Sequence, residues 1–292
     1  MFPIGPRQPY RRAMTSSSRV WLITGGSSGF GQEIARAALE RGDRVVATAR
    51  DPASVQALVD VDPDRVLAVA LDVTRPEQVA PAIDATLRRF GRLDVVVNNA
   101  GYGSVGAVEE IDPADLRRIM ETMYFGPVAV TQAALPVLRA QGSGAIVQIS
   151  SMGGLVSPPG FGAYCSAKFA LEALSEALAA EVGPLGVDVL IVEPGAFRTG
   201  FGGGRMHRSR PSEAYRDTVG PTRAAVDEMA AGTQPGDPRR AAEAILQALD
   251  AEVVPLRLAL GDDSIDAIRA KLDRVAADVD AWETVGRAVA FA

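Results

Sequence analysis

Thr24-Gly25-Gly26-Ser27-Ser28-Gly29-Phe30-Gly31 follows directly on the apolar run Val20-Trp21-Leu22-Ile23, and the reading of that junction decides the fold. Four glycines in eight residues let the chain turn tightly and let another molecule approach its backbone, because no Cβ stands in the way. A helix starting at such a turn points unpaired N–H groups and the positive end of its dipole at whatever lies there. A pyrophosphate suits that field, and Ser27 and Ser28 can add hydroxyl donors. A glycine-rich turn alone occurs in many loops. Its place between a buried strand and a helix is what ties it to a dinucleotide.

Outward from the turn, short β-branched runs alternate with amphipathic stretches. Residues 20–23, 44–49, 66–71, 94–98, 145–149 and 187–192 read as strands, nearly all apolar, as parallel strands covered on both faces must be. Segments 31–41, 52–59, 76–90, 113–141 and 162–182 read as helices between them. A helix at 237–250, a last strand at 255–260 and a helix at 262–285 complete the chain. The expected fold is α/β: a Rossmann-type doubly wound parallel sheet of about seven strands with helices on both faces. Residues 19–292 are expected to form one domain, since no linker separates two cores.

The stretch 197–235 is rich in Gly, Arg, Pro and Ser. It follows a strand at the carboxyl edge of the sheet and reads as a lid over a site, with a plain surface loop as the alternative. Residues 1–18 carry Arg7, Arg11 and Arg12 among Pro3, Pro6 and Pro9, and lack the apolar run of a secretory signal. They read as a disordered leader, with Met14 an alternative start.

Composition excludes several classes of function. A net charge of −6 and a pI near 5.0 leave no basic footprint, so neither nucleic acid nor an anionic membrane surface is an expected partner. The single cysteine, Cys165, rules out an internal disulfide and reads as a packing residue. The single histidine, His207, reads as a surface residue, and no metal site is expected. No apolar run approaches the ~18 residues of a membrane span, and a cytoplasmic protein is expected.

Tyr164-Cys165-Ser166-Ala167-Lys168 places a phenol and an ammonium four residues apart on one helix face. A tyrosine hydroxyl titrates at about 10 in water, and a neighbouring cation is expected to pull it toward neutrality. The spacing alone is also met by chance on ordinary helices. The residue ending the second strand bears on the cofactor: an acidic side chain there would accept hydrogen bonds from an unmodified ribose. Here Ala49 is followed by Arg50, a cation suited to a 2′-phosphate, so NADP(H) is expected in preference to NAD(H). Asp51 could instead neutralise Arg50.

With these residues in view, the chain resembles the short-chain dehydrogenase/reductase family, closely from Arg19 to about Thr199 and more loosely beyond. The family's Thr-Gly-x-x-x-Gly-x-Gly is matched by Thr24, Gly25, Gly29 and Gly31, and its Asn-Asn-Ala-Gly by Asn98, Asn99, Ala100 and Gly101. Its catalytic serine is matched by Ser151, its Tyr-x-x-x-Lys by Tyr164 and Lys168, and its Pro-Gly-x-x-x-Thr by Pro194, Gly195 and Thr199. Asp72-Val73 fits the stretch flanking the adenine, and short runs around Arg50 and Tyr164 are similar to the hydroxysteroid and retinol dehydrogenase branch. In that branch the arginine meets the 2′-phosphate.

The resemblance implies a hydride transfer between a nicotinamide and a ketone, aldehyde or secondary alcohol. Ser151 would hold the substrate oxygen, Tyr164 would give or take the proton, and Lys168 would tune Tyr164 and hold the nicotinamide ribose. Thr199 would anchor the nicotinamide amide. Ser150 is the alternative hydroxyl, but strand alternation turns it to the opposite face. Family members pair through helices four and five, so a homodimer or homotetramer is implied.

One position departs from the pattern. Glu121-Thr122-Met123-Tyr124-Phe125-Gly126 puts Met123 where the family has an asparagine that positions water behind the lysine. Methionine offers none of the amide's hydrogen bonds. Met123 implies either harmless drift, with backbone carbonyls holding the water, or a slower proton relay. It leaves open a scaffold that binds NADP(H) without turnover, or a redox-neutral epimerase, dehydratase or cyclase. The pocket is expected from Tyr102, Met123, Gly153, Gly154, Leu155, Val156, Pro158 to Phe161, Phe197, Phe201, Met206 and Tyr215, a lining suited to a hydrophobic small molecule. Arg198, Arg205, His207, Arg208 and Arg210 read as a solvated charged face, with the binding of an acidic substrate group as the alternative.

Overall fold

The computed structural model describes residues 18–202 and 206–291; the expected leader, Met14 and Arg205 lie outside that range apart from Ser18. The strands are β1 (Val20–Ile23), β2 (Arg44–Ala49), β3 (Val66–Ala70), β4 (Val95–Asn98), β5 (Ser104–Val105), β6 (Gly144–Ile149), β7 (Val187–Pro194), β8 (His207–Arg208) and β9 (Arg257–Leu260). Seven of them form one parallel sheet in the order β3-β2-β1-β4-β6-β7-β9. The helices are α1 (Gly29–Glu40), α2 (Gln56–Val59), α3 (Val79–Phe90), α4 (Pro113–Met120), α5 (Gly126–Gln141), α6 (Gly162–Val182), α7 (Arg216–Ala230), α8 (Pro238–Leu249) and α9 (Asp262–Arg287).

Alternation along each strand divides the core in two. Trp21 and Ile23 pack with Val45, Val95 and Val97 against α1 and α8 on one face. Leu22, Val46, Val96 and Ile146 pack against α3, α5 and α6 on the other. Both faces are apolar, which is why the strands read as unbroken hydrophobic runs. Each fully buried Leu or Ile contributes about 2 kcal/mol of transfer free energy. Trp21 is wholly buried yet keeps its indole N–H satisfied, donating to Asp43 Oδ2 at 2.8 Å.

Three segments differ from the sequence reading. The helix expected over 113–141 is interrupted by a π-helical turn at Glu121–Phe125, which separates α4 from α5. The stretch 197–235 is not an extended loop, because α7 occupies much of it. Pro221 lies inside α7, where a proline ordinarily marks a helix break. β5 and β8, two residues each, pair with one another in a small parallel ladder. Such short strands carry no periodic signal.

The edge strand β9 is fixed by buried charge. Arg257 on β9 reaches Glu172 and Glu176 on α6 and Glu193 on β7, with Glu176 at 2.6 Å. Glu172 and Glu193 are each 2% exposed. Burial, reinforced by the Glu172 charge, pushes the Glu193 carboxyl up to about 7 against the pull of Arg257. A carboxyl whose folded pKa is raised stabilises the fold fully below its unfolded value of about 4.5 and loses that contribution as pH rises through about 7. Glu193→Gln is therefore expected to flatten the pH dependence of Tm between pH 5 and 8, gaining on the wild type at the alkaline end. Parallel Tm curves for the two proteins would contradict this.

Candidate active site

The carboxyl ends of β1, β4, β6 and β7 open into a cleft of about 990 Å³. Its floor is the glycine turn. Gly25 (φ 66°) and Gly29 (φ 56°) adopt left-handed backbone that other residues reach only with strain. A Cβ on Gly31 would stand 2.5 Å from both Asn99 Nδ2 and Gly25 O, so that glycine permits close packing of turn and helix. The Thr24 hydroxyl donates to Val97 O (3.2 Å) and accepts from the N–H groups of Asn99 (2.9 Å) and Ala100 (3.1 Å). Asn99 Nδ2 in turn donates to Thr24 O and Gly25 O. Asn98 faces the other way, into the sheet, donating to Thr131 and Gln148.

Around this floor stand Ser27, Ser28, Gly29, Phe30, Arg50, Asp72, Val73, Asn99, Ala100, Gly101, Pro194, Gly195 and Thr199, as the sequence reading expects. Thr24 and Gly31 lie behind the lining and hold it. A Cβ on Gly29 would meet Thr199 at 3.4 Å, so the turn and the segment after β7 close on the same space. That cradle fits a dinucleotide. Asp51 does not neutralise Arg50; its carboxylate caps the next turn, accepting from Ala53 N–H at 3.0 Å. Arg50 instead faces Asp72. Burial pushes the Asp72 carboxyl up, but Thr74 and the charges of Arg50 and Arg75 outweigh it and leave it below the usual range.

Ser151, Tyr164 and Lys168 meet at the end of β6. Ser151 caps a short 3₁₀ turn, accepting from Gly153 N–H at 3.0 Å and donating to Pro194 O at 3.4 Å. Ser150 points away, its hydroxyl donating to Glu172 at 2.5 Å. Tyr164 is 7% exposed and lies edge-on to Phe161 and Phe201. Lys168 Nζ donates to Ile149 O at 2.7 Å and lies 5.8 Å from the Tyr164 ring centroid.

The electrostatics overturn one expectation. Burial pushes the Tyr164 phenol up, far above its ordinary value; the Ser151 hydrogen bond opposes this, while Cys165 and Glu172 add to it. Burial also drives the Lys168 amine down, to about 8, with Glu172 acting against the shift. Four residues of helical spacing say nothing of this desolvation, which dominates both groups. In the folded protein Tyr164 is a held proton, and Lys168 is the group that titrates near neutrality.

Other expectations fare unevenly. Tyr102, Met123, Gly153, Val156, Pro158, Phe161, Phe197 and Phe201 line the cleft, but Gly154, Leu155, Pro159 and Gly160 are not among its lining residues. Met206 packs with Val105 and Val226 beside it, and Tyr215 faces Glu109. His207 is not a free surface residue: it lies 2.8 Å from Asp115 at a separate cavity of about 330 Å³. Arg198 donates to Gln234 O and Arg208 pairs with Asp227, so these cations brace the segment. Cys165 is buried, and burial pushes its thiol up to about 11. Asp263, Gln234 and Met229 also line the cleft; they lie 30 and more residues beyond the last motif, and no spacing marks them. Among the described residues, no His/Cys/Asp/Glu group is placed to hold a metal, and no helix is long and apolar enough to cross a membrane.

Thr24→Val keeps the shape of the side chain but leaves the Asn99 and Ala100 N–H groups without an acceptor. It is expected to cost about 2–4 kcal/mol of stability and to weaken nucleotide binding; unchanged Tm and Kd would contradict the role given to this hydroxyl.

The family model for the short chain dehydrogenases matches residues 19–208. Oxidoreductase BOA17 of Botryotinia fuckeliana is 40% identical over 274 residues, 94% of this chain and 100% of that protein. A short-chain dehydrogenase from Streptomyces avermitilis superposes with a TM-score of 0.90 at 51% identity, covering 94% of this chain and 100% of its own. An alcohol dehydrogenase from Thermococcus sibiricus complexed with 5-hydroxy-NADP has a TM-score of 0.68 at 28% identity, over 84% of this chain and 96% of its own. A 3-ketoacyl-(acyl-carrier-protein) reductase from Brucella melitensis complexed with NADH has 0.69 at 28%, over 83% and 95%. The matched residues span every strand of the sheet except β9, and the shared architecture extends well past them: this chain belongs to the short-chain dehydrogenase family of oxidoreductases.

Proposed function

We propose that the protein is an NADP(H)-dependent oxidoreductase that interconverts hydrophobic ketones or aldehydes with the corresponding alcohols. The observation that carries this reading is the convergence of Ser151, Tyr164 and Lys168 on the cleft whose floor is the glycine turn. Bound nicotinamide supplies or accepts the hydride. Ser151, on the Tyr164 side of the cleft, gives its hydroxyl to the substrate oxygen. As hydride reaches the carbonyl carbon, negative charge grows on that oxygen, and Tyr164 releases its phenolic proton to it. The high phenol pKa favours a proton retained until that charge develops. Lys168, anchored on Ile149 O, carries the positive charge that offsets the phenolate left behind. The alcohol forms with one hydride and one proton added.

Arg50 supports the choice of NADP(H): it lines the nucleotide end of the cleft, and its nearest acidic neighbour in sequence is engaged elsewhere. Tyr102, Met123, Val156, Phe161 and Phe201 support an apolar substrate. The 197–235 segment, which contributes Phe197, Phe201, Met229 and Gln234 to the wall, is proposed as the cover of the substrate end. Met123 favours a second reading. Its side chain is buried in one apolar cluster with Tyr164, its sulfur against Gly101, with no hydrogen bond to give where an asparagine would have two donors. On that reading the protein binds NADP(H) without net turnover.

The test follows NADPH absorbance across a panel of hydrophobic ketones. The proposal expects oxidation of NADPH, lost by 10²-fold or more in Tyr164→Phe. Tight binding with no oxidation by any ketone would favour the second reading. The pH profile carries the Lys168 assignment: the reduction rate should fall as pH rises through about 8, where the amine loses its charge. A rate flat to pH 10 would contradict it. Arg50→Ala should raise KM for NADPH at least tenfold and leave that for NADH nearly unchanged.

A further inference from the structure

α9 leaves the body of the protein. Its first turns are held there: Ser264 Oγ donates to Glu193 O at 2.7 Å, Asp263 accepts from Ala196 N–H at 2.7 Å, and Ile268 is buried. From Arg269 to Arg287 no residue is buried. A run of 19 residues, about 28 Å of helix, therefore stands in water.

Its apolar side chains are not scattered. Ile265, Ile268, Leu272, Val275, Val279 and Trp282 advance by alternating steps of three and four, the a and d positions of successive heptads. The stripe begins against the body and continues off it, with Val279 62% and Trp282 68% exposed. Among the described residues nothing covers it. A helix half this apolar and this regular is a seam, and a monomer has no use for one.

Charge along the helix selects the occupant. Arg269, Lys271 and Arg274, offset only by Asp273, make the stretch nearer the body basic. Asp278, Asp280 and Glu283, offset only by Arg287, make the outer stretch acidic. We propose that the exposed part of α9 pairs antiparallel with α9 of a second copy of this chain, about a two-fold axis near residue 277. Setting a against d places Leu272 on Trp282 and Val275 on Val279 of the second copy. The same register lays the basic stretch along the acidic one and brings Arg269 beside Glu283, twice, because a two-fold contact repeats each pair. Among the described residues Glu283 is otherwise engaged only by Arg287, an exposed i,i+4 pair that exchanges readily. Parallel pairing would instead lay Asp278 beside Glu283 and basic against basic. The one like-charge contact in the antiparallel register is Asp278 with its own mate at the axis. The seam is separate from α5, so it adds to any pairing made there.

Sedimentation of the full chain tests the proposal against Val279→Glu/Trp282→Glu. Both side chains are exposed, so the variant should keep the Tm of the body and its NADPH affinity while its assembly mass falls to half that of the wild type. Asp278→Asn should tighten association several-fold. Ala276→Cys, next to the axis on the helix flank, should crosslink to its own mate under mild oxidation, and Val289→Cys should not. Equal masses for wild type and double variant would overturn the proposal. So would crosslinking through Val289→Cys in place of Ala276→Cys, which marks a parallel pair. Cosedimentation of the wild type with phosphatidylcholine vesicles, lost in the double variant without a change of mass, would assign the stripe to a lipid surface instead.

Discussion

The Thr24 hydroxyl joins the two halves of the sheet. It uses its full capacity, one hydrogen donated to Val97 O and two accepted from Asn99 and Ala100. β1 and β4 lie where the strand order reverses, with β2 and β3 wound to one side and β6, β7 and β9 to the other. Loops leaving such neighbours part in opposite directions and open a crevice at the strand ends. A single satisfied hydroxyl thus fixes the glycine turn from β1 against the Asn-Asn-Ala-Gly turn from β4, and both become the floor of one cleft. Everything chemical in the protein is measured from that floor.

On the far wall the governing term is desolvation. α6 carries Tyr164, Lys168 and Glu172 on successive turns, all buried. Water cannot stabilise the charged forms of Tyr164 and Lys168, so the phenol keeps its proton and the amine is brought within reach of neutral pH, while Glu172 accepts from Ser150 and pairs with Arg257. A Cβ on Gly154 would fall 1.7 Å from Glu172 Oε1, so the loop that carries Ser151 is shaped around that carboxylate. Tyr164 and the ion cluster that pins β9 are two ends of one helix face.

The sequence made the sheet legible because six of its strands are apolar runs next to turn residues with defined chemistry, and Gly162–Val182 emerges with the bounds its pattern implies. That Ser151, Tyr164, Lys168 and most of the glycine-turn lining face one cleft was legible for the same reason: each sits on a motif whose spacing is set by backbone geometry. What sequence could not supply was environment. Tyr164 and Lys168 look like a mutually tuned pair at four-residue spacing, but burial, a property of the whole fold, sets both. Leu155 and Val156 are equally apolar, and only the 3₁₀ turn after Ser151 decides that Val156 faces the cleft. α7 was hidden by its proline, and Asp263 by its distance from every motif. Met123 was visible as a departure; that it packs against Tyr164 as part of a π-helical turn was not.

Hydride transfer by this cleft is the central claim, and isotope transfer tests it most directly. NADPH deuterated at both C4 positions would be incubated with the protein and a hydrophobic ketone, and the alcohol examined by mass spectrometry and NMR. The account predicts one deuterium on the carbinol carbon of the product and none elsewhere. Nucleotide held in the cleft with all its deuterium retained, and no labelled alcohol from any ketone, would contradict it.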